Sequence, residues 1–588
     1  MKGFFKIMFA TIVGFVVTIV LFILIMAGIV SAMVSSGDKA VTISRNSILK
    51  LDFNNEISER SPNNPFSDLN IPGLSRNKQD GLTEIIANIK KAQDDKNIKG
   101  VFLDLSTIPA RIATIEEIRN VLLDFKKSGK FIISYADYYS QSAYYLASVS
   151  DKIYLNPQGS IDFVGIRSEI MFYKGALEKL GLEPEIIRHG KFKSAVEPFM
   201  TDKMSDENRL QVSKFIKSIW EHSLKGISEQ RKLSIAELNR LANTMVLADA
   251  DSCLSSKMVD SLFYKDQLNA QLLKLSGQKS KEPEFISLSK YEKVVKLSTG
   301  KGFAKNKIAV IYAQGDVKMG DDDEGTVSSD RISQALRDAR TDTSVKAIVF
   351  RINSPGGSAL ASDVIWREVK LASKVKPVIA SMGALAASGG YYIACAADTI
   401  VAEPNTITGS IGVFSVLFNA QKLLNQKFGI TTDVAKTNIH SDFPSISRPM
   451  DAQEKAFLQM EIDKMYGTFI SHVSEGRKID KQKIDDIGQG RVWTGQDAKE
   501  IGLVDVLGGL TDAIDIAAKM AKLKNYRVVN LPVLEEPFEK FIKDLTGEVK
   551  LGIIKSELGA EYKYYNEYKN LLNMKGVQAR LPFSIEVY

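Results

Sequence analysis

Ile98-Lys-Gly-Val-Phe-Leu-Asp-Leu105 and Val345-Lys-Ala-Ile-Val-Phe-Arg-Ile352 are short β-branched runs that each follow a polar, helix-like stretch, and they stand 247 residues apart. The same offset pairs Tyr144-Tyr145 with Tyr391-Tyr392, and Gly165 with Gly412. It also pairs Asp151-Lys-Ile-Tyr-Leu-Asn-Pro157 with Asp398-Thr-Ile-Val-Ala-Glu-Pro404. Further along, Ser228-Glu-Gln-Arg-Lys232 matches Ser474-Glu-Gly-Arg-Lys478 at an offset of 246. A register kept this long marks an internal duplication, so the fold is that of one half built twice.

Each half alternates strand-like and helix-like patterns. In the second half the pattern predicts strands at 308–313, 347–352 and 377–381, helices at 330–339 and 361–373, and a helix opening at Ser388. Such alternation implies an α/β fold with parallel strands and right-handed crossovers. Each half also carries a polar loop near its start, at 54–81 and 316–330, expected to be a solvated connector or a gate. The segment beyond about residue 536 has no counterpart in the first half, and its Lys/Glu- and Tyr-rich run at 561–572 predicts an amphipathic helix. The expected organisation is an anchor at 1–40, a first repeat at 41–300, a second at 301–535, and a helical extension at 536–588.

Length fits that plan, because 588 residues exceed what one hydrophobic core supports. A content of 44% hydrophobic and 25% charged residues excludes a disordered or fibrous chain. The formal charge of +7 arises from 77 basic and 70 acidic residues dispersed along the chain, so no nucleic-acid partner is expected. Two cysteines, Cys253 and Cys395, cannot form a disulfide framework and lack zinc spacing. With no phosphate-binding glycine loop and no metal-ligand motif, neither cofactor nor metal is expected.

The N-terminus carries its own signal. From Ile7 to Gly37, 31 positions are uncharged. A spanning helix needs roughly 20 residues, and the apolar part of a cleaved signal sequence has only about 7–15. The stretch therefore reads as a retained transmembrane helix, with a signal peptide cut near Ala32 as the other reading. Lys2 and Lys6 favour a cytoplasmic N-terminus and place the body on the far side.

Two glycine-containing turns carry chemistry. In Asn353-Ser-Pro-Gly-Gly357, Pro355 stiffens the turn and the glycines leave backbone N–H groups unobstructed. Ala386-Ala-Ser-Gly-Gly390 opens a helix, where free N–H groups and the helix dipole favour developing negative charge. Ser388 as a plain N-cap is the alternative. Together the turns supply a nucleophile and oxyanion donors, which acyl transfer requires. The nucleophile needs a base. Of the four histidines, His189, His222, His440 and His472, the second and fourth lie among charged helical neighbours and are expected at the surface. A buried lysine serves equally, because desolvation keeps its amine neutral.

The runs Ile352-Asn-Ser-Pro-Gly-Gly-Ser358, Met382-Gly-Ala-Leu-Ala-Ala-Ser-Gly-Gly-Tyr391 and Thr408-Gly-Ser-Ile-Gly412 resemble those of the signal peptide peptidase A family, also called protease IV. Lys191-Phe-Lys-Ser-Ala-Val-Glu-Pro-Phe199 resembles the lysine motif of that family. The resemblance spans about residues 41–535 and follows the long, duplicated form. It implies two tandem Clp protease/crotonase-like domains of repeated ββα units and a Ser-Lys endopeptidase. By position it implies Ser388 as nucleophile, Lys193 as base, and Ser410 as the hydroxyl holding the lysine amine. The N–H groups of Gly357 and Gly389 would form the oxyanion hole, and Lys191 is the competing base. The resemblance further implies apolar peptide substrates such as signal-peptide remnants, and a bacterial inner-membrane protein with its body on the periplasmic side. It also implies a homo-oligomer, in that family a tetramer.

The duplication offers a check that owes nothing to the resemblance. The position 247 before Ser388 is Gln141, and the position 247 after Lys193 is His440. The first-half equivalent of Pro355-Gly-Gly357 is Ile108-Pro-Ala110. Each half lacks what the other keeps, the pattern expected of one composite site. A Ser388–His440 pair, a crotonase-like acyl-CoA enzyme and a non-catalytic membrane scaffold are the competing readings. Whether Lys193 meets Ser388 in its own chain or in a neighbour is open at this level.

Overall fold

The computed structural model describes residues 2–37, 43–61, 79–294, 304–321, 325–534 and 576–581. The first half contributes strands β1 (Ser47–Leu51), β2 (Glu56–Ser58), β3 (Gln79–Gly81), β4 (Ile98–Asp104), β5 (Phe131–Ala136), β6 (Lys152–Leu155), β7 (Glu183–His189), β8 (Ser261–Leu262) and β9 (Phe285–Ser287). The second half begins with β10 (Lys307–Gln314), β11 (Val317–Lys318), β12 (Val327–Ser328), β13 (Val345–Ser354), β14 (Gly356–Ser358) and β15 (Val378–Ala387). It continues with β16 (Thr399–Ala402), β17 (Ile407–Gly409), β18 (Val413–Asn419), β19 (Val492–Thr494), β20 (Val506–Leu507) and β21 (Arg527–Leu531), and β22 (Gln578–Arg580) comes from the C-terminal segment.

The duplication is visible strand by strand. β4, β5 and β6 start 247 residues before β13, β15 and β16, and the 26-residue helices Asp206–Arg231 and Ala452–Arg477 lie 246 apart. The first half builds a parallel sheet in the order β8-β6-β5-β4-β1-β9. The second builds β19-β17-β15-β13-β10-β21, with β16 pairing β15, β20 pairing β16, and β17–β19 antiparallel. Helices cover both faces of such sheets, which is why the central strands are apolar throughout. β15 is buried at all ten positions. It runs past the expected end at 381, since Gly383-Ala-Leu-Ala-Ala387 stays in the strand and pairs with β17 at Leu385–Ile407, Ala386–Thr408 and Ala387–Gly409.

A third sheet, β12-β11-β14-β22-β18-β7, joins the halves. In it β7 of the first half pairs antiparallel with β18 of the second over seven residues, from His189–Val413 to Glu183–Asn419. The repeat counterparts of these two strands, 166–172 and 430–436, belong to no helix or strand. β22 corrects an expectation: the described part of the extension is a strand lodged between β14 and β18, not a helix. The helix expected at 561–572 lies outside the described residues, as do 62–78 and 322–324 of the two polar loops.

A buried ionic cluster also links the halves. The Arg351 guanidinium on β13 meets Glu59 at 2.7 Å and also Glu117, both from the first half, and all three side chains are buried. Arg351 further donates to Ser381 Oγ and Met382 O on β15, and Glu59 accepts from Asn353 Nδ2 at 2.8 Å. The cluster therefore braces the two strands that lead into the glycine turns. At the N-terminus a 36-residue helix spans Lys2–Gly37, and every side chain over 7–21 is exposed. Among the described residues no helix is long and apolar enough to cross a membrane, so the anchor expected at 1–40 is a proposal rather than a property of the fold.

Candidate active site

Ser388 follows the last residue of β15. Its N–H donates to Gly409 O at 2.8 Å, and the backbone then turns sharply into the helix Gly389–Ala394. That turn holds Ser388 at φ 55°, ψ −114°, a conformation that costs a non-glycine residue about 1–3 kcal/mol and persists only where packing imposes it. The Ser388 side chain makes no capping hydrogen bond. The plain N-cap reading therefore fails, and the hydroxyl is left for other partners.

Lys193 arrives from the other half. It follows β7 through a turn that packs on the chain before β19, with Phe192 N–H donating to Gln489 O at 2.8 Å. Gly490 makes that approach possible: its φ is +79°, and a Cβ there would sit 2.6 Å from Lys193 Cβ. Gln211, on the helix Asp206–Arg231, clamps the same turn. Its Nε2 donates to Phe192 O at 3.1 Å and Ser194 Oγ at 2.9 Å, and its Oε1 accepts from Val492 N–H at 3.2 Å. Neither Gly490 nor Gln211 stands out in the sequence, because one is a lone glycine in a loop and the other a polar residue in an amphipathic helix.

The two halves meet within one chain. Lys193 Nζ lies 2.8 Å from Ser388 Oγ, 3.0 Å from Ser410 Oγ and 3.2 Å from Ser410 O. All three side chains are fully buried. Burial alone holds the Lys193 amine well below the usual lysine range, so the neutral form is favoured. A neutral amine has two N–H donors and one lone pair. The two oxygens of Ser410 can take the donors, which leaves the lone pair facing the Ser388 hydroxyl. The glycine turns converge on the same place: a Cβ built on Gly356, at φ +95°, would lie 2.6 Å from Gly389 N.

The competitors lie elsewhere. Lys191 is exposed. His440 faces Glu454 at 3.3 Å and Asp451 at 3.7 Å, whereas the partners of Ser388 Oγ are Lys193 Nζ and, at 3.4 Å, Gly412 O. His440, Asp451 and Glu454 are the one cluster among the described residues that could hold a metal, and the Arg448 guanidinium already occupies Glu454. His222 and His472, expected at the surface, are part-exposed: His222 lies 3.2 Å from Glu116, and His472 stacks on Trp366 with ring centroids 3.4 Å apart and meets Asp363 at 3.1 Å. In the first half, Gln141 fills the place of the serine. Its Nε2 donates to Gly165 O at 3.2 Å, the repeat equivalent of the contact between Ser388 and Gly412.

A doubled α/β fold with a buried serine at a strained strand-to-helix turn and a buried lysine amine 2.8 Å from its hydroxyl is an arrangement suited to a hydrolase of the serine type. The comparisons with known proteins are specific about which. Peptidase family S49 matches residues 124–279 and 370–524, and Clp protease matches residues 300–408. The chain is 38% identical over 484 residues to Protease 4 of Salmonella typhi, covering 81% of this chain and 78% of that protein. It is 31% identical over 545 residues to the chloroplastic serine protease SPPA of Arabidopsis thaliana, covering 92% and 78%. Among solved structures it is similar to the 1510-N membrane-bound stomatin-specific protease, with a TM-score of 0.26 and 18% identity over 39% of this chain and all of that one. The chain belongs to peptidase family S49 and is a serine peptidase.

Proposed function

We propose that this peptidase is a membrane-anchored endopeptidase that cuts apolar peptide segments, including signal-peptide remnants, with Ser388 as nucleophile and Lys193 as general base. The observation that carries this reading is the buried Lys193 Nζ at 2.8 Å from Ser388 Oγ. In the reaction the Lys193 lone pair takes the Ser388 proton as Oγ attacks the peptide carbonyl, and the oxyanion is held by the N–H groups of Gly357 and Gly389. The resulting ammonium gives that proton to the leaving amine, and the acyl-enzyme forms. Lys193, neutral again, takes a proton from water, the hydroxide attacks the ester, and Ser388 recovers its proton as the acid product leaves. Ser410 keeps the amine aligned throughout.

The uncharged stretch from Ile7 to Gly37 and the exposed apolar residues at 7–21 support the anchor and an extracytoplasmic, inner-membrane location. The segments 166–172 and 430–436, which lie outside any strand, support a homo-oligomer. The test uses a covalent serine probe together with digestion of an apolar peptide. The native chain labels at Ser388 and digests the peptide, and both Ser388→Ala and Lys193→Ala abolish digestion. Proteolysis retained in Lys193→Ala sinks the assignment of the base.

A further inference from the structure

The turn 488–491 carries both segments that align on Ser388. Gln489 O accepts from Phe192 N–H at 2.8 Å, one residue before Lys193, and Gly490 packs on Lys193 itself. On the other side Gly490 N–H donates to Ile411 O at 2.7 Å, and Arg491 O accepts from Ser410 N–H at 2.7 Å. The segment bearing the amine and the segment bearing the hydroxyl beside it therefore hang on the same four residues. That turn is not relaxed. Gln489 sits at φ 53° and Gly490 at φ 79°, so two successive residues are left-handed. A residue with a side chain persists in that region only where its surroundings impose it.

Tyr466 imposes it. The ring is buried on the helix Ala452–Arg477, with His189 of β7 stacked on it at a centroid distance of 4.0 Å. Its hydroxyl donates to Asp485 Oδ1 at 2.6 Å and accepts from Gln489 N–H at 3.2 Å. Gln489 Nε2 donates to the same carboxylate oxygen at 2.5 Å. Burial, with Asp485 as acceptor, raises the phenol above its ordinary range and keeps it a donor. Main chain and side chain of Gln489 are thus held by one pair of side chains, neither of which is a hydrogen-bond partner of Lys193, Ser388 or Ser410.

The duplication shows what the phenol oxygen adds. At the offset of 246 shared by the long helices, Tyr466 corresponds to Trp220 and Asp485 to Asn239. Trp220 Nε1 donates to Asn239 Oδ1 at 3.0 Å, so the first half keeps the bond from ring to side chain. An indole N–H only donates, whereas a phenol oxygen both donates and accepts. In the first half the helix Ile235–Thr244 runs on, while its counterpart Lys481–Ile487 stops short and turns. The half that receives Lys193 is the half with the accepting oxygen. We propose that Tyr466 and Asp485 are positioning residues for the Ser-Lys pair: the phenol oxygen fixes the turn 488–491, and the turn sets where Lys193 and Ser410 stand relative to Ser388. This rests on the assignment of Lys193 as base given above. Without that oxygen Gln489 relaxes from its left-handed backbone, the turn withdraws from Lys193, and water reaches the amine.

The test measures hydrolysis of an apolar peptide by full-length variants, with active sites counted by completed labelling with the serine probe. Tyr466→Phe keeps the ring and its stack with His189 but removes the oxygen. Its kcat per labelled site is expected to fall about tenfold with KM unchanged. Hydration of the amine raises its proton affinity, so the acid limb of the kcat/KM profile should move up by about one pH unit. Asp485→Ala should reproduce both effects. Asp485→Asn keeps an oxygen for the phenol and for Gln489, and should show the native limb. A purely structural role would lower the urea midpoint and the number of labelled sites while leaving the limb and the kcat per labelled site native. That result in Tyr466→Phe and Asp485→Ala overturns the positioning role. Proteolysis retained in Lys193→Ala overturns the base assignment instead, and the role of the turn falls with it.

Discussion

At the scale of single residues the proposed mechanism turns on the Lys193 amine. Only its neutral form accepts a proton, so kcat/KM should climb with pH through the lowered value of Lys193 and level off well below pH 10.5. The stability effect has the opposite origin but the same direction. Between the lowered value and 10.5 the unfolded chain binds the proton that the folded chain refuses, so folding strengthens as pH rises across that window. Lys193→Met should remove this slope and raise the urea midpoint at neutral pH, while turnover falls by about 10²–10⁴-fold. Gly490→Ala tests the approach of the two halves. Strain at positive φ and a Cβ pressed on Lys193 should destabilise the chain by about 1–3 kcal/mol and lower kcat, read by unfolding and by peptide hydrolysis. Ser388 and Lys193 were legible through the resemblance of their motifs to those of the signal peptide peptidase A family, and the duplication supplied a check, with Gln141 and His440 standing where a second copy of each would be. Gly490 and Gln211 were not legible, since their roles exist only once the two loops touch.

At the scale of elements, the pairing of β7 with β18 and the cluster at Arg351 hold one half against the other. Arg351→Leu would leave Glu59 and Glu117 buried without their cation, which should destabilise the chain by about 3–5 kcal/mol in equilibrium unfolding. Glu403 gives a pH-dependent companion. Burial, then the neighbouring carboxylates of Glu117 and Glu116, lift its carboxyl well above the usual range. The folded chain therefore holds a proton that the unfolded chain releases, and stability declines as pH rises from the ordinary carboxylate value to the lifted one. Glu403→Gln should flatten that decline, so its advantage over the native chain in urea widens with pH. β4 and β13 could be read directly, because a buried strand is a local pattern of β-branched residues. β22 could not. A three-residue strand carries too little pattern, and its partner β14 lies more than two hundred residues away along the chain.

At the scale of the whole molecule, one pairing is made and its mirror image is not. β7 pairs with β18 inside the chain, while 430–436 and 166–172, their counterparts, lack partner strands and 430–436 is exposed throughout. Repeating the pairing between copies would join 430–436 of one chain to 166–172 of the next, a head-to-tail contact of the kind that closes into rings. Prolines at Thr431 and Asp433 should block that ladder and shift the sedimentation of the solubilised protein to monomer, with Ser388 still labelled by the probe. If each such junction repeats the geometry inside the chain, it creates a second seat in which Gln141 stands for the serine and His440 for the lysine. Working and blind seats would alternate around the assembly, and every working seat would be the property of a single polypeptide. Mixing Lys193→Ala chains with Ser388→Ala chains should then yield no complementation. Activity in mixed assemblies should fall in simple proportion to the broken chains, with neither rescue nor dominance.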